Sequence, residues 1–160
     1  MSKKKLEDSS PLHEKWMKFA LKQAHQAYKK NEVPIGAILI QNNKIIARGH
    51  NLSISKKDPT AHAEIICLRK AGKRLKNYRL GDTILYTTVE PCAMCAGACI
   101  WARINTVVYG CSDSKAGACG SVIDLSQQQL NHHFKTIKGI LNEDCRFLIQ
   151  DFFKAKRTIK

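Results

Sequence analysis

Two cysteines three residues apart stand in the stretch Pro91-Cys92-Ala93-Met94-Cys95. An apolar, β-rich run precedes them (Thr83-Ile84-Leu85-Tyr86-Thr87-Thr88-Val89), and a helix-like run of small and apolar residues follows, from Ala93 to Trp101. Where a strand passes into a helix, side chains at i and i+3 can point at one spot. The unpaired N–H groups of the helix start then favour the thiolate form. Three chemistries fit such a pair: a redox dithiol, half of a four-ligand structural zinc site, or two ligands of an open catalytic zinc. The third needs one more ligand and a group that carries protons.

Upstream, Thr60-Ala61-His62-Ala63-Glu64 offers both. A neutral His62 imidazole completes a His/Cys/Cys set and leaves the fourth tetrahedral position for water. On a regular helix, residues i and i+2 lie about 200° apart, so His62 and Glu64 do not share a face. They reach one pocket only if it lies off the N-terminal end of their helix. Asp58-Pro59-Thr60 supplies start signals just ahead, with Thr60 or Asp58 as the N-cap candidate. The expected arrangement is two helix N-termini meeting at one metal. A thiol–disulfide enzyme would leave His62 and Glu64 unexplained, and a structural zinc usually has four protein ligands.

The elements that must hold these groups follow from periodicity. Leu12, Trp16, Phe19, Ala20, Ala24 and Ala27 recur at helical spacing among lysines, and Asn31 and Pro34 end that first helix. Ile35 to Ile40 and Lys44 to Gly49, joined through Gln41-Asn42-Asn43, read as a β-hairpin, with Asn51 to Lys57 as loop. A largely buried helix begins near Ala61 and ends at Gly72 and the basic Lys73-Arg74-Leu75-Lys76 segment. A fourth strand covers Ile104 to Tyr109, a loop Gly110 to Ser121, and a short fifth strand Phe134 to Ile137. The last helix places Leu141, Cys145, Leu148, Ile149, Phe152 and Phe153 on one face. A hairpin followed by alternating strands and helices predicts an α/β sheet covered on both faces, with a parallel crossover between the third and fourth strands.

Composition bounds the rest. The chain has 160 residues, 44% of them hydrophobic, which suits one compact domain over 1–160 with residues 1–11 as a flexible basic N-terminus. No apolar run approaches the roughly 18 residues of a membrane span, and Met1-Ser2-Lys3-Lys4-Lys5 leads into no apolar signal core. The expected location is the cytoplasm, where seven cysteines stay reduced. The net charge is +14, and most of it lies between the two termini. It suits a nucleic-acid partner, and it equally suits a lysine-rich solvated surface.

Seven further runs join these motifs. They are Glu32-Val33-Pro34-Ile35-Gly36-Ala37, Asn77-Tyr78-Arg79-Leu80, Glu90 to Ala98, Val107-Val108-Tyr109-Gly110, Asp113 to Ser121, Asn131-His132 and Asp151-Phe152-Phe153. His-x-Glu followed by Pro-Cys-x-x-Cys is the signature of zinc nucleobase deaminases. With the other runs, the chain closely resembles the bacterial tRNA-specific adenosine deaminases, which make inosine at the wobble position, over residues 12–157.

The resemblance implies a three-layer α/β/α cytidine deaminase-like fold with a mixed five-stranded sheet and helices on both faces. It implies one zinc ion per subunit, held by His62, Cys92 and Cys95, with Glu64 as proton shuttle in hydrolysis of a cyclic amidine C–N bond. Two thiolates offset the charge of Zn²⁺ and so acidify water less than an all-histidine site does, which leaves a task for a separate base. Asn51 matches the residue that hydrogen-bonds the flipped base, although as a residue type it also suits an ordinary turn. Asp113 matches a residue beside the target nucleotide. Phe153 and the basic Lys154 to Arg157 match the surface that meets the anticodon stem-loop; the same residues also suit core packing and a solvated helix end. The implied partner RNA is the arginine tRNA with an ACG anticodon, and the implied assembly is a homodimer. Cys99, Cys111 and Cys119 depart from the pattern and are expected to be buried small hydrophobes. Cys99 as a fourth ligand would close the water site.

Overall fold

The computed structural model describes residues 10–159 of the chain. Helix α1 (Ser10–Lys29) buries His13, Trp16, Met17, Ala20, Ala24 and Ala27, one stripe at helical spacing. Ser10 and Pro11, expected in a flexible N-terminus, instead form its first turn, where proline's missing N–H costs nothing. The rest of that expectation, residues 1–9, lies outside the described residues. Asn31, with φ 58°, turns the chain out of the helix in the left-handed region.

Strands β1 (Gly36–Gln41) and β2 (Lys44–His50) form the expected antiparallel hairpin. Its two-residue turn is Asn42-Asn43, with φ 50° and 57°, the all-positive pattern that matches strand twist and that asparagine tolerates. A one-turn helix, α2 (Ser53–Lys56), interrupts the expected loop, and α3 (Ala63–Leu75) follows. Strand β3 (Ile84–Val89) leads into α4 (Ala93–Trp101) and then into β4 (Thr106–Cys111). A short β5 (Lys135–Ile137) and α5 (Asn142–Thr158) complete the chain. The sheet order is β2-β1-β3-β4-β5. The β1–β2 and β1–β3 pairs are antiparallel, and the β3–β4 and β4–β5 pairs are parallel.

Side-chain alternation divides the sheet into two apolar layers. Leu39, Leu85 and Val107 point to the side covered by α3 and α4. Their neighbours Ile38, Tyr86 and Val108 point to the side covered by α1 and α5. The architecture is therefore the α/β sheet covered on both faces that the pattern predicts, and the mixed five-stranded sheet that the resemblance implies.

Two local expectations change, while the end of α3 falls inside the expected basic segment. Gly72 lies inside α3, which runs on to Leu75 and ends where Lys76 adopts a left-handed conformation and donates its N–H to the Gly72 carbonyl. Leu141 is the N-cap of α5 and packs with Ile149 on the apolar layer that holds Cys145, as expected, but Phe153 points outward, 45% exposed, while Phe152 is buried. The N-cap of α3 is His62; Asp58 and Thr60 lie earlier, where the Asp58 carboxylate accepts from the Thr60 N–H at 2.8 Å.

Close approach of α3 to β2 sets the height of His62 and Glu64 above the sheet. It depends on Gly49, where a Cβ would stand 2.4 Å from the Ala63 carbonyl oxygen and 2.7 Å from the Cys67 nitrogen. Both neighbours are backbone and cannot turn away. Gly49→Ala should lower unfolding stability by about 1–3 kcal/mol, the usual cost of overpacking, as measured by urea unfolding. An unchanged midpoint would show that α3 does not rest on this residue.

Candidate metal centre and active site

The parallel β3–β4 pair is bridged by α4, so the N-terminus of α4 emerges at the carboxyl end of β3. Cys92 is the N-cap of α4 and Cys95 lies in its first turn. His62 is the N-cap of α3 and Glu64 lies in that helix's first turn. Two helix starts therefore face one another, as the i and i+2 spacing of His62 and Glu64 requires.

The His62 Nδ1 atom lies 3.6 Å from Cys92 Sγ and 3.5 Å from Cys95 Sγ. All three donor atoms lie within 4.8 Å of one another. Zinc bonds of about 2.0–2.1 Å to nitrogen and 2.3 Å to sulfur, at the tetrahedral angle, require an N···S edge of about 3.6 Å. The donor set therefore fits zinc in both chemistry and spacing. Cys99 is buried and is not one of the three. Cys95 is buried while His62 and Cys92 are half-buried, so the trio opens on one side.

Cys92 is pulled down to about 4, chiefly by a hydrogen bond from the Cys95 thiol, with burial opposing and His62 assisting. Cys95 is pushed up by the same bond and by burial. His62 is raised by its bond with Cys92, against the effect of burial. A bound metal would have to displace the Cys95 proton, as thiolate ligation requires.

Glu64 is 4% exposed. Its Oε2 lies 3.4 Å from Cys95 Sγ, and its Oε1 accepts from the Thr87 hydroxyl at 3.2 Å. Burial pushes its carboxyl above the ordinary carboxylate range. Of the other expected site residues, Asn51 is buried, and its side-chain oxygen accepts from the Ser53 hydroxyl at 2.9 Å. The next residue ties this segment to the metal side, since the Leu52 N–H donates to the Ala61 carbonyl. Asp113 is half-buried, and its Oδ1 accepts from the backbone N–H groups of Lys115 and Ala116. Phe153 stands apart, on the outer face of α5, edge-on to the Phe152 ring at 5.4 Å.

Three residues without a role in the sequence reading hold this site. Thr87 fixes one oxygen of Glu64. Glu32, fully buried, accepts from the Ser55 N–H and hydroxyl and from the Ile54 N–H, and so anchors α2 beside Asn51. Burial draws its carboxyl up, and the Ser55 and Ile54 bonds more than reverse this, so it sits below its ordinary value. Glu90, also buried, receives four hydrogen bonds from the Asp113–Ser121 loop. Both glutamates occur in runs quoted above, but nothing local in the sequence reveals which distant N–H groups converge on them.

The MafB19-like deaminase family model matches residues 12–157. A tRNA-specific adenosine deaminase from Haemophilus influenzae is 44% identical over 153 residues, covering 94% of this chain and 88% of its own length. A solved structure from a study of A-to-I editing by tRNA:A34 deaminases at the wobble position superposes with a TM-score of 0.80 at 40% identity, covering 83% of this chain and 97% of the other. A guanine deaminase structure from Bacillus subtilis superposes with a TM-score of 0.60 at 35% identity, covering 74% and 87%.

The trio predicts a clean separation between neighbouring cysteines. Cys95→Ala should lose stoichiometric zinc, while Cys99→Ala should keep about one ion per chain, by elemental analysis after desalting. A full zinc complement in Cys95→Ala would remove that residue from the ligand set.

Proposed function

The chain belongs to the MafB19-like deaminases and, among them, to the tRNA-specific adenosine deaminases, and from that membership we propose that it converts adenosine to inosine at the wobble position of the arginine tRNA with an ACG anticodon. The observation that carries this reading is the His62, Cys92 and Cys95 trio with the buried Glu64 carboxylate at its edge. The whole chain, 1–160, acts as one zinc-dependent deaminase domain in the cytoplasm. The single five-stranded sheet supports one domain, and no helix among the described residues is long and apolar enough to cross a membrane.

Zinc held by His62, Cys92 and Cys95 would supply a water molecule made more acidic and more nucleophilic. Glu64 is the proton carrier. It takes one proton from the attacking water and delivers it to adenine N1, then takes the second from the hydroxyl now on C6 and passes it to the amino group, which leaves as ammonia. The Thr87 hydroxyl keeps one Glu64 oxygen in place while the other faces the trio. Asn51, held by Ser53, offers the amide that hydrogen-bonds the flipped base, and the Asp113 loop forms the neighbouring wall.

Helix α5 supplies the RNA surface. At about 100° per residue, Arg146, Phe147, Gln150, Phe153, Lys154 and Arg157 share an arc of about 120° on its exposed side. Phe147 and Phe153 are 67% and 45% exposed, and cations between exposed rings suit phosphates and unstacked bases. A second copy of the chain completes the surface. Trp101, 70% exposed at the end of α4, and Leu130 form an apolar patch that supports such a homodimer.

The direct test is to incubate the zinc-loaded protein with that tRNA and sequence it. The wobble adenosine should read as G. Free guanine is the control suggested by the guanine deaminase likeness, and turnover of guanine alone would overturn the reading. Glu64→Gln should keep its zinc and lose at least about 100-fold in rate. Wild-type turnover by the metal-replete variant would exclude Glu64 as the shuttle. Charge-neutral replacement of Lys154 and Arg157 should flatten the salt dependence of tRNA binding, and an unchanged slope would exclude phosphate contacts there.

A further inference from the structure

Glu90 lies between the end of β3 and Cys92, is 3% exposed, and has no ion-pair partner among the described residues. A buried carboxylate without a cation is costly unless hydrogen-bond donors saturate it. Here they do. Oε2 accepts from the Asp113 N–H at 2.9 Å and from the Ser121 hydroxyl. Oε1 accepts from the Cys119 N–H at 3.1 Å and the Ser121 N–H at 3.0 Å. Both ends of one loop thus converge on a single side chain.

The loop is built around that carboxylate. A Cβ on Gly117 would stand 2.2 Å from Glu90 Oε2 and 2.5 Å from the Asp113 carbonyl oxygen, so a larger residue would push the loop off that carboxylate. Gly117 also forms an isolated antiparallel bridge with Cys92, and the Ala118 N–H donates to the Pro91 carbonyl at 2.8 Å. The segment Glu90-Pro91-Cys92 is therefore stitched to the loop at each of its three residues.

We propose that Glu90 is a positioning residue for the reaction: its carboxylate sets the Asp113–Ser121 loop in register with Cys92, and so fixes the wall against which the target nucleotide lies. The nucleotide part of this statement rests on the proposed function; the placement of the loop does not. The residue type is specific. An amide of the same size has one acceptor oxygen, and its NH₂ group must face either two backbone N–H groups or one N–H and a hydroxyl that can rotate. The second arrangement costs less, and it leaves the Asp113 N–H without an acceptor. Glu90→Gln therefore frees the Asp113 end of the loop and keeps the Cys119–Ser121 end.

The test uses zinc-loaded Glu90→Gln, with hydrogen exchange read beside kinetics on an anticodon stem-loop. Asp113 amide exchange should quicken by about tenfold, while β3 and β4 amides stay as in wild type. KM should rise by about tenfold and kcat by no more than about threefold in either direction, because the loop holds substrate and does not touch the proton carrier. Should Glu90→Gln fail to fold, Ser121→Ala removes one hydroxyl donor and should move both readouts the same way, by about threefold. Unchanged Asp113 exchange, or a loss confined to kcat, would overturn the proposal. If wild type leaves the stem-loop untouched, the proposed function fails, and the exchange measurement still decides whether Glu90 holds the loop.

Discussion

The site depends on two helix N-termini being brought within one donor-to-donor distance. Each helix start presents N–H groups with no intrahelical partner, and each makes its surroundings favour negative charge. His62 caps one and Cys92 caps the other. Neither uses its side chain to satisfy its own helix, which leaves both free to face each other. The sheet sets the spacing, because α3 is pressed onto β2 at Gly49 and α4 is led out of β3.

Around that centre the walls are held by carboxylates with no ion-pair partner among the described residues. Glu32 gathers the start of α2 beside Asn51, and Glu90 gathers the Asp113–Ser121 loop beside Cys92. Backbone N–H groups do not wander as lysine or arginine side chains do, so a carboxylate saturated by them fixes geometry more firmly than a surface ion pair. This arrangement also leaves the cations elsewhere. In a chain of net charge +14, the helix α5 arginines and lysines stay exposed, where a polyanion can reach them.

Much of the architecture was legible from short-range pattern. The Asn42-Asn43 turn, the apolar stripe of α1 and the bounds of α4 follow from residue types that suit only a few backbone shapes. Elsewhere a local signal did not mark the helix end it resembled. Gly72 resembles a stop but sits inside α3, because the left-handed Lys76 closes the helix later. Asp58 and Thr60 resemble caps but close a turn of their own, with His62 at the true start. Phe152 and Phe153 are the same residue type on the same helix. Only the direction of the neighbouring α1, where Tyr28 meets the Phe152 ring at 5.6 Å, decides which one is core.

The sequence by itself determined which groups are available for chemistry. An imidazole, two thiols and a carboxyl at those spacings leave few alternatives, because ligand type and the need for an open position are properties of the residues. Only the tertiary structure decided which atoms meet: that His62 turns Nδ1 to both sulfurs, that Thr87 takes one Glu64 oxygen, and that Glu90 collects N–H groups from residues 113 to 121. The physical reason is range. Side-chain chemistry is written residue by residue, whereas hydrogen bonds between segments tens of residues apart exist only once sheet and helices have fixed where those segments lie.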